Sequence, residues 1–272
     1  MSIIIISRGA HHKGEAVAEK TAQKLGYACI SRDILLEASQ QFNVPEVKLK
    51  KFMERTPGFF ERLGFNKEKY ISYIQSALLK RMKEDNIVYH GLAGHFFVKD
   101  ISHALSVRVL VDIKDRIQYC MQSEKVSESK ARDMLKKLDE DRKKWGQYLY
   151  GIDISDPVLY DVVINIQKLS TDDAAEIICN AVQTDKFKTT PESRQAMEDL
   201  AIAAEVRAVL IDHIIPMEVT AQNGDVTVTI PATMLIESEV TGVIEELAKT
   251  VDGVKKVKVE GAPHVQPMEI VE

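Results

Sequence analysis

Ile3-Ile4-Ile5-Ile6-Ser7-Arg8-Gly9-Ala10-His11-His12-Lys13-Gly14-Glu15-Ala16 is the stretch that decides the fold. Residues 3–6 form an apolar run suited to a buried parallel strand, and residues 7–14 form a glycine-bounded turn. An amphipathic helix is expected from about Glu15 to Leu25, with Gly26 as its stop. Strand, loop and helix N-terminus make a cradle for a phosphate group, because unpaired backbone N–H groups and the helix dipole point at the anion. The Gly9-to-Gly14 spacing is that of a phosphate-binding loop. The lysine and hydroxyl residue that should follow are replaced by Glu15 and Ala16.

Outward from this unit, short apolar runs alternate with helical patterns. Strands are expected at 27–30, 87–90, 107–113 and 162–166. Helices are expected at 33–41 with Ser31 as cap, at 67–84, from 115, at 127–145, and at 171–182 with Thr171 as cap. This alternation implies an α/β fold, a parallel five-stranded sheet covered by helices on both faces. Ligands of such sheets bind at the carboxyl ends of the strands. The segments expected there are the loop after Ile6, Ser31-Arg32-Asp33, and His90-Gly91-Leu92-Ala93-Gly94.

A second pattern follows 186–193, where apolar periodicity lapses and Pro191 intervenes. A helix over 193–212 leads to two alternating strands, 217–221 and 226–230, around Asn223-Gly224, a strong hairpin signal. A helix over 233–250 and a strand over 254–259 complete a small α+β unit of order αββαβ. The expected organisation is therefore a domain over 1–185, a linker over 186–193, a second domain over 194–261 and a tail over 262–272.

Composition separates the two parts. The whole chain carries a net charge of −5, but residues 191–272 hold 6 Lys and Arg against 15 Asp and Glu, or −9. The preceding part holds 30 against 26, or +4. With 45% hydrophobic and 28% charged residues the composition is that of a globular protein. No apolar run reaches membrane-spanning length and no secretory leader pattern stands at the N-terminus. Three widely spaced cysteines, Cys29, Cys120 and Cys179, argue for a reducing compartment and against a disulfide framework; the cytoplasm is the expected location. His11 and His12 are able to donate to phosphate, or to bind a metal with His90 or His95. No ligand spacing supports the metal, and none is expected.

The first 180 or so residues resemble the cytidylate kinase-like family, a branch of the P-loop nucleoside monophosphate kinases. The residues that carry the resemblance are Ile6-Ser7-Arg8, Ala18-Glu19-Lys20, Leu25-Gly26-Tyr27, Arg32 and the glycine turn at Gly91. The most specific stretch is Tyr150-Gly151-Ile152-Asp153-Ile154-Ser155-Asp156-Pro157, running into Tyr160-Asp161-Val162-Val163-Ile164-Asn165. The second part resembles a BON domain through Asn223-Gly224-Asp225-Val226 and Val251-Asp252-Gly253-Val254.

The resemblance implies phosphoryl transfer from ATP, with Mg²⁺, to a CMP-type nucleoside monophosphate, a reaction catalysed largely by positioning and charge neutralisation. It implies nucleotide-phosphate contacts along the loop at Arg8, Gly9 and Gly14, and acceptor contacts at Arg32 and Gly91; His11, His12 and Lys13 stand where the family has small residues and are expected to meet the phosphates from the same loop. Catalytic cations are implied at Lys13, Arg142 and Lys144, the last two on the lid helix, with Asp153 and Asp156 as orienting carboxylates. The chain departs from the family pattern at Glu15, where an arginine is usual, and at Gly91-Leu92-Ala93, where the family places an arginine between glycines. Three functions follow: an active kinase with a degenerate loop, a nucleotide-binding module without turnover, or an interaction protein working through the BON-like part. That part is expected to bind a protein or small ligand, since −9 over 191–272 opposes anionic membranes. Nucleic acid is not an expected partner.

Overall fold

The computed structural model describes residues 2–8, 12–54, 67–91, 94–236 and 238–263. They divide into two compact units. One is built from residues up to 32 and 85–189, the other from 33–54, 67–84 and 190–263. The units are thus not the contiguous stretches expected from sequence, although one break falls between Thr189 and Thr190, inside the expected linker.

The first unit is a five-stranded sheet in the order β2-β3-β1-β4-β5, with every neighbouring pair parallel. Its strands are β1 (Ile3–Arg8), β2 (Ala28–Ile30), β3 (Ile87–His90), β4 (Ala104–Val111) and β5 (Val162–Ile166). The isoleucine run fills the central strand, where Ile3 to Ile6 are at most 1% exposed. Ile4 and Ile6 point to one face, with Leu105, Val107 and Val109 of β4. That face is covered by α1 (His12–Leu25) and α8 (Thr171–Val182), which supply Val17, Ala18, Ala174 and Ile178 to the same core. Exposed ion pairs, including Lys24–Glu176 at 2.8 Å, edge these two helices.

Several element ends differ from the sequence reading. Helix α1 begins at His12, so Lys13 and Gly14 lie in its first turn rather than in the loop. One glycine in a helix costs only about 1 kcal/mol and does not hold the start back. Strand β4 ends at Val111 because Asp112 turns the chain and caps α6 (Ile113–Glu124), accepting from Lys114 N at 2.7 Å. Ser170, not Thr171, caps α8, in a reciprocal capping box with Asp173. Helix α7 (Glu128–Tyr150) starts as expected after Ser127 but runs five residues past 145, to a left-handed cap at Gly151.

The second unit centres on α9 (Pro191–Leu210) and a three-stranded sheet in the order β6-β7-β8. Strands β6 (Glu218–Gln222) and β7 (Asp225–Pro231) form the expected antiparallel hairpin. Helix α10 (Ser238–Ala248) crosses back to β8 (Lys256–Ala262), which is parallel to β7. Helix α9 is not amphipathic: Ala201, Ile202, Ala203 and Ala204 are all buried. A helix apolar on every side must be covered on every side. The covering comes from the sheet, from α10 and from α4 (Lys67–Met82), which precedes β3 in the chain; α2 (Asp33–Gln41) and α3 (Glu46–Glu54) belong to the same unit. Tyr73 of α4 lies in the same apolar cluster as Val206, Leu210, Val226 and Val228. Its hydroxyl donates to Asp212 at 2.9 Å, where Lys69 also pairs, and Gln41 donates to Glu205 at 3.0 Å. No helix among the described residues is long and apolar enough to cross a membrane.

Candidate functional site

The loop expected to hold phosphate joins β1, the central strand, to α1. Gly9 and His11 lie outside the described residues, and Arg8 closes β1 opposite Val109. At the other end of the loop, Gly14 is buried in the first turn of α1. Lys13 does not point into open solvent: its Nζ is 2.5 Å from Asp115 Oδ2, on α6. The ring of His12 stacks on Tyr119 of α6, with centroids 3.9 Å apart and planes at 21°. Partial burial and the neighbouring Lys13 push the His12 pKa down, against the opposing pull of Asp115 and Glu15. The imidazole is therefore neutral at pH 7 and offers a single N–H.

The other predicted residues are set as follows. Arg32 is exposed just after β2. On α7, Arg142 is half-buried and Lys144 exposed. The intervening Lys143, at 2.7 Å from Asp153, is the lysine that ties this helix to the following loop. Asp153 also accepts from Ser155 N and Oγ, at 3.0 and 2.5 Å. Lys143 and Ser155 hold its carboxyl well below the usual carboxylate range. Asp156 accepts from Val158 N at 3.0 Å and opens a short 3-10 turn. Both aspartates thus shape the loop 151–159.

Gly91 has a reason in packing. A Cβ there would lie 2.4 Å from Tyr89 Oη, and one on Gly94 would lie 2.4 Å from Tyr89 Cε1. The ring of Tyr89, 4% exposed, needs both positions bare. Gly94→Ala is expected to destabilise the protein by about 1–3 kcal/mol, the usual cost of overpacking a core that cannot retreat. Urea denaturation checks this, and a midpoint equal to that of the parent would refute the steric argument.

Sequence reasoning missed a polar cluster on the second face of the sheet. Arg108 of β4 stands opposite Ser7 of β1. Its Nη1 donates to Ile154 O and, at 3.1 Å, to Tyr160 Oη, with the guanidinium 5.4 Å from the Tyr160 ring. The Tyr160 hydroxyl donates to Ile154 O at 2.9 Å and lies 3.2 Å from Ser7 Oγ. His95, on the short helix α5 (Gly94–Phe97), has its ring 4.8 Å from that of Tyr160. Burial, and then the charge of Arg108, push the His95 pKa down to about 4. The available signal was an arginine in an otherwise apolar strand, Val107-Arg108-Val109-Leu110. A parallel strand seldom carries a charge without a use for it.

A parallel sheet of order 2-3-1-4-5, with a strand–loop–helix unit on its central strand, defines a P-loop kinase scaffold. An uncharacterised protein from Eubacterium ventriosum has a similar solved structure, with a TM-score of 0.52 at 23% identity over 66% of this chain and 97% of that one. The model of the cytidylate kinase-like family matches residues 3–168, and the chain belongs to that family. It is 26% identical over 181 residues to a cytidylate kinase of Sulfolobus acidocaldarius, covering 66% of this chain and 93% of that protein. It is 25% identical over 173 residues to a cytidylate kinase of Archaeoglobus fulgidus, covering 63% and 89% respectively.

Proposed function

We propose that the first unit binds ATP through the 8–14 loop and transfers its terminal phosphoryl group to a CMP-type nucleoside monophosphate. The observation that carries this reading is the family match over residues 3–168, together with relatives named cytidylate kinase. The N-terminus of α1 offers a favourable dipole for phosphate oxygens. Mg²⁺ bound with ATP would be held chiefly by phosphate oxygens and water, so it would ask little of the protein. In this reading Lys13, Arg142 and Lys144 neutralise the moving phosphoryl group, while Arg8, His11, His12 and the loop glycines Gly9 and Gly14 hold ATP. Arg32 and Gly91 face the acceptor, and Asp153 and Asp156 keep the loop after α7 in place.

The Lys13–Asp115 ion pair favours a second reading, a nucleotide-binding module that does not turn over. A lysine already paired with a carboxylate contributes less to a polyphosphate. The BON-like segment would then carry the signal, binding a protein or small ligand. A cytoplasmic setting fits both readings, since Cys29, Cys120 and Cys179 form no disulfide among the described residues.

Calorimetric titration of ATP with and without Mg²⁺, followed by ADP release with CMP present, separates the readings. A kinase gives CMP-dependent ADP release that Arg32→Ala abolishes. Asp115→Asn, by releasing Lys13, then raises ATP affinity roughly two- to fivefold, the worth of a partly exposed ion pair. ATP binding without ADP release leaves the non-catalytic module, and no binding at millimolar ATP rejects both.

A further inference from the structure

His95 is 6% exposed, and neither ring nitrogen has a hydrogen-bond partner among the described residues. Buried polar atoms are almost always satisfied, so two open nitrogens on one ring mark a place where a partner belongs. His95 and Arg108 both lie against Tyr160, the imidazole 4.8 Å and the guanidinium carbon 5.4 Å from its ring centroid. The partners of Arg108 Nη1 are a carbonyl and a phenol, both neutral. A half-buried guanidinium among neutral groups is short of an anion. Arg108 stands on β4 opposite Ser7, one residue before the end of β1, and His95 approaches from α5.

We propose that Arg108 and His95 form a receiving site for the terminal phosphate of a phosphate monoester, with Tyr160 holding Arg108 in position. The match is chemical. A neutral imidazole has one N–H donor and one acceptor nitrogen. A phosphate monoester, with its second pKa near about 6, carries both acceptor oxygens and, in its monoanion, a donating hydroxyl. A phosphodiester or a carboxylate lacks that hydroxyl near neutral pH. The Arg108 guanidinium supplies the charge, and the Ile154 carbonyl and Tyr160 hydroxyl fix the direction of its fork. The nucleotide reading above matters here only for the source of the phosphate, a nucleoside monophosphate rather than free phosphate.

The test follows the ring nitrogens of His95 by ¹⁵N NMR in the full-length protein, during titrations with inorganic phosphate, CMP and cytidine. Phosphate and CMP are expected to shift both nitrogens and cytidine to leave them in place. Arg108→Lys keeps the charge but loses the fork, and should weaken CMP at least about tenfold, the worth of one charge-assisted hydrogen bond. Tyr160→Phe should weaken CMP less, with cytidine affinity unchanged. If CMP binds, shifts other resonances, leaves His95 unmoved and is indifferent to Arg108→Lys, the site is rejected while the kinase reading stands. If phosphate moves His95 while neither CMP nor ATP binds, the site stands and the kinase reading falls. Silence of His95 toward phosphate and CMP alike rejects the site.

Discussion

Asp199→Ala will lower the stability of the second unit by about 3 kcal/mol, because one buried carboxylate closes the hairpin turn. Asp199, 8% exposed on α9, accepts from Asn223 N at 2.8 Å and from Gly224 N at 3.0 Å. Both turn residues have positive φ, 53° and 83°, which points their N–H groups away from the β6–β7 ladder. Hydrogen bonds to a charged acceptor are worth about 1.5–3 kcal/mol each, and removing the acceptor strands two donors at once. Asp199→Asn keeps one acceptor oxygen and should lose about half as much. Gly224→Ala attacks the same turn sterically: a Cβ there lies 2.6 Å from Gly253 O, a backbone atom that cannot swing aside. Thermal unfolding of the variants measures the losses, and hydrogen exchange at Asn223 and Gly224 localises them. An Asp199→Ala protein within about 0.5 kcal/mol of the parent, the range of an ordinary surface substitution, would show that the turn does not depend on the carboxylate.

The second large effect is a pH dependence centred on His95. Its pKa in the folded protein is pushed down to about 4, below the 6.5 of an unperturbed histidine. Between those values the unfolded chain takes up a proton that the folded protein refuses, so stability rises with pH across the window. The contribution is complete above pH 6.5, shrinks as the solution is acidified, and is gone below pH 4. Its full size is about 3 kcal/mol, since each tenfold ratio in proton affinity is worth about 1.4 kcal/mol. Other groups titrate in the same range, so the diagnostic quantity is a difference. The stability of the parent relative to His95→Leu should fall by about 2–3 kcal/mol from pH 7 to pH 4. A difference that stays constant across that range would mean that His95 is protonated without penalty.

Much of the fold was legible because it rests on local patterns. An unbroken isoleucine run can be satisfied only in a strand covered on both faces, and Ile3 to Ile6 sit in the central strand for that reason. Asn223-Gly224 specifies its turn through backbone freedom alone, and the hairpin stands at the expected register. Element ends were less legible. Gly14 read as the close of a loop, yet helix α1 already includes it. Thr171 and Ser170 are equally good caps in isolation, and the choice fell to Ser170 through its reciprocal bond with Asp173. In the candidate site the loop was expected from its strand, glycine spacing and helix, and the lid helix from the family resemblance alone. The partners of their residues were not legible: Asp115 is 102 residues from Lys13, and no periodicity joins them.

By itself the sequence determined the alternation of strands and helices, the loop that lacks its lysine and hydroxyl, and the hairpin of the second part. Each of these depends on residues close together in the chain, where propensity and burial period act directly. Only the tertiary structure decided that the helices before β3 belong to the unit of α9, although the strands that flank them in sequence belong to the other. Tyr73, Phe42 and Val44 read as ordinary apolar positions, and which apolar surface they cover is set by the whole set of available faces. The tertiary structure also decided that Arg108, Tyr160 and His95 converge, because pairing β1 with β4 places Ser7 beside Arg108 across a hundred residues of intervening chain. Such pairings minimise exposed apolar area and unsatisfied polar groups over the whole unit, a sum that no local window contains.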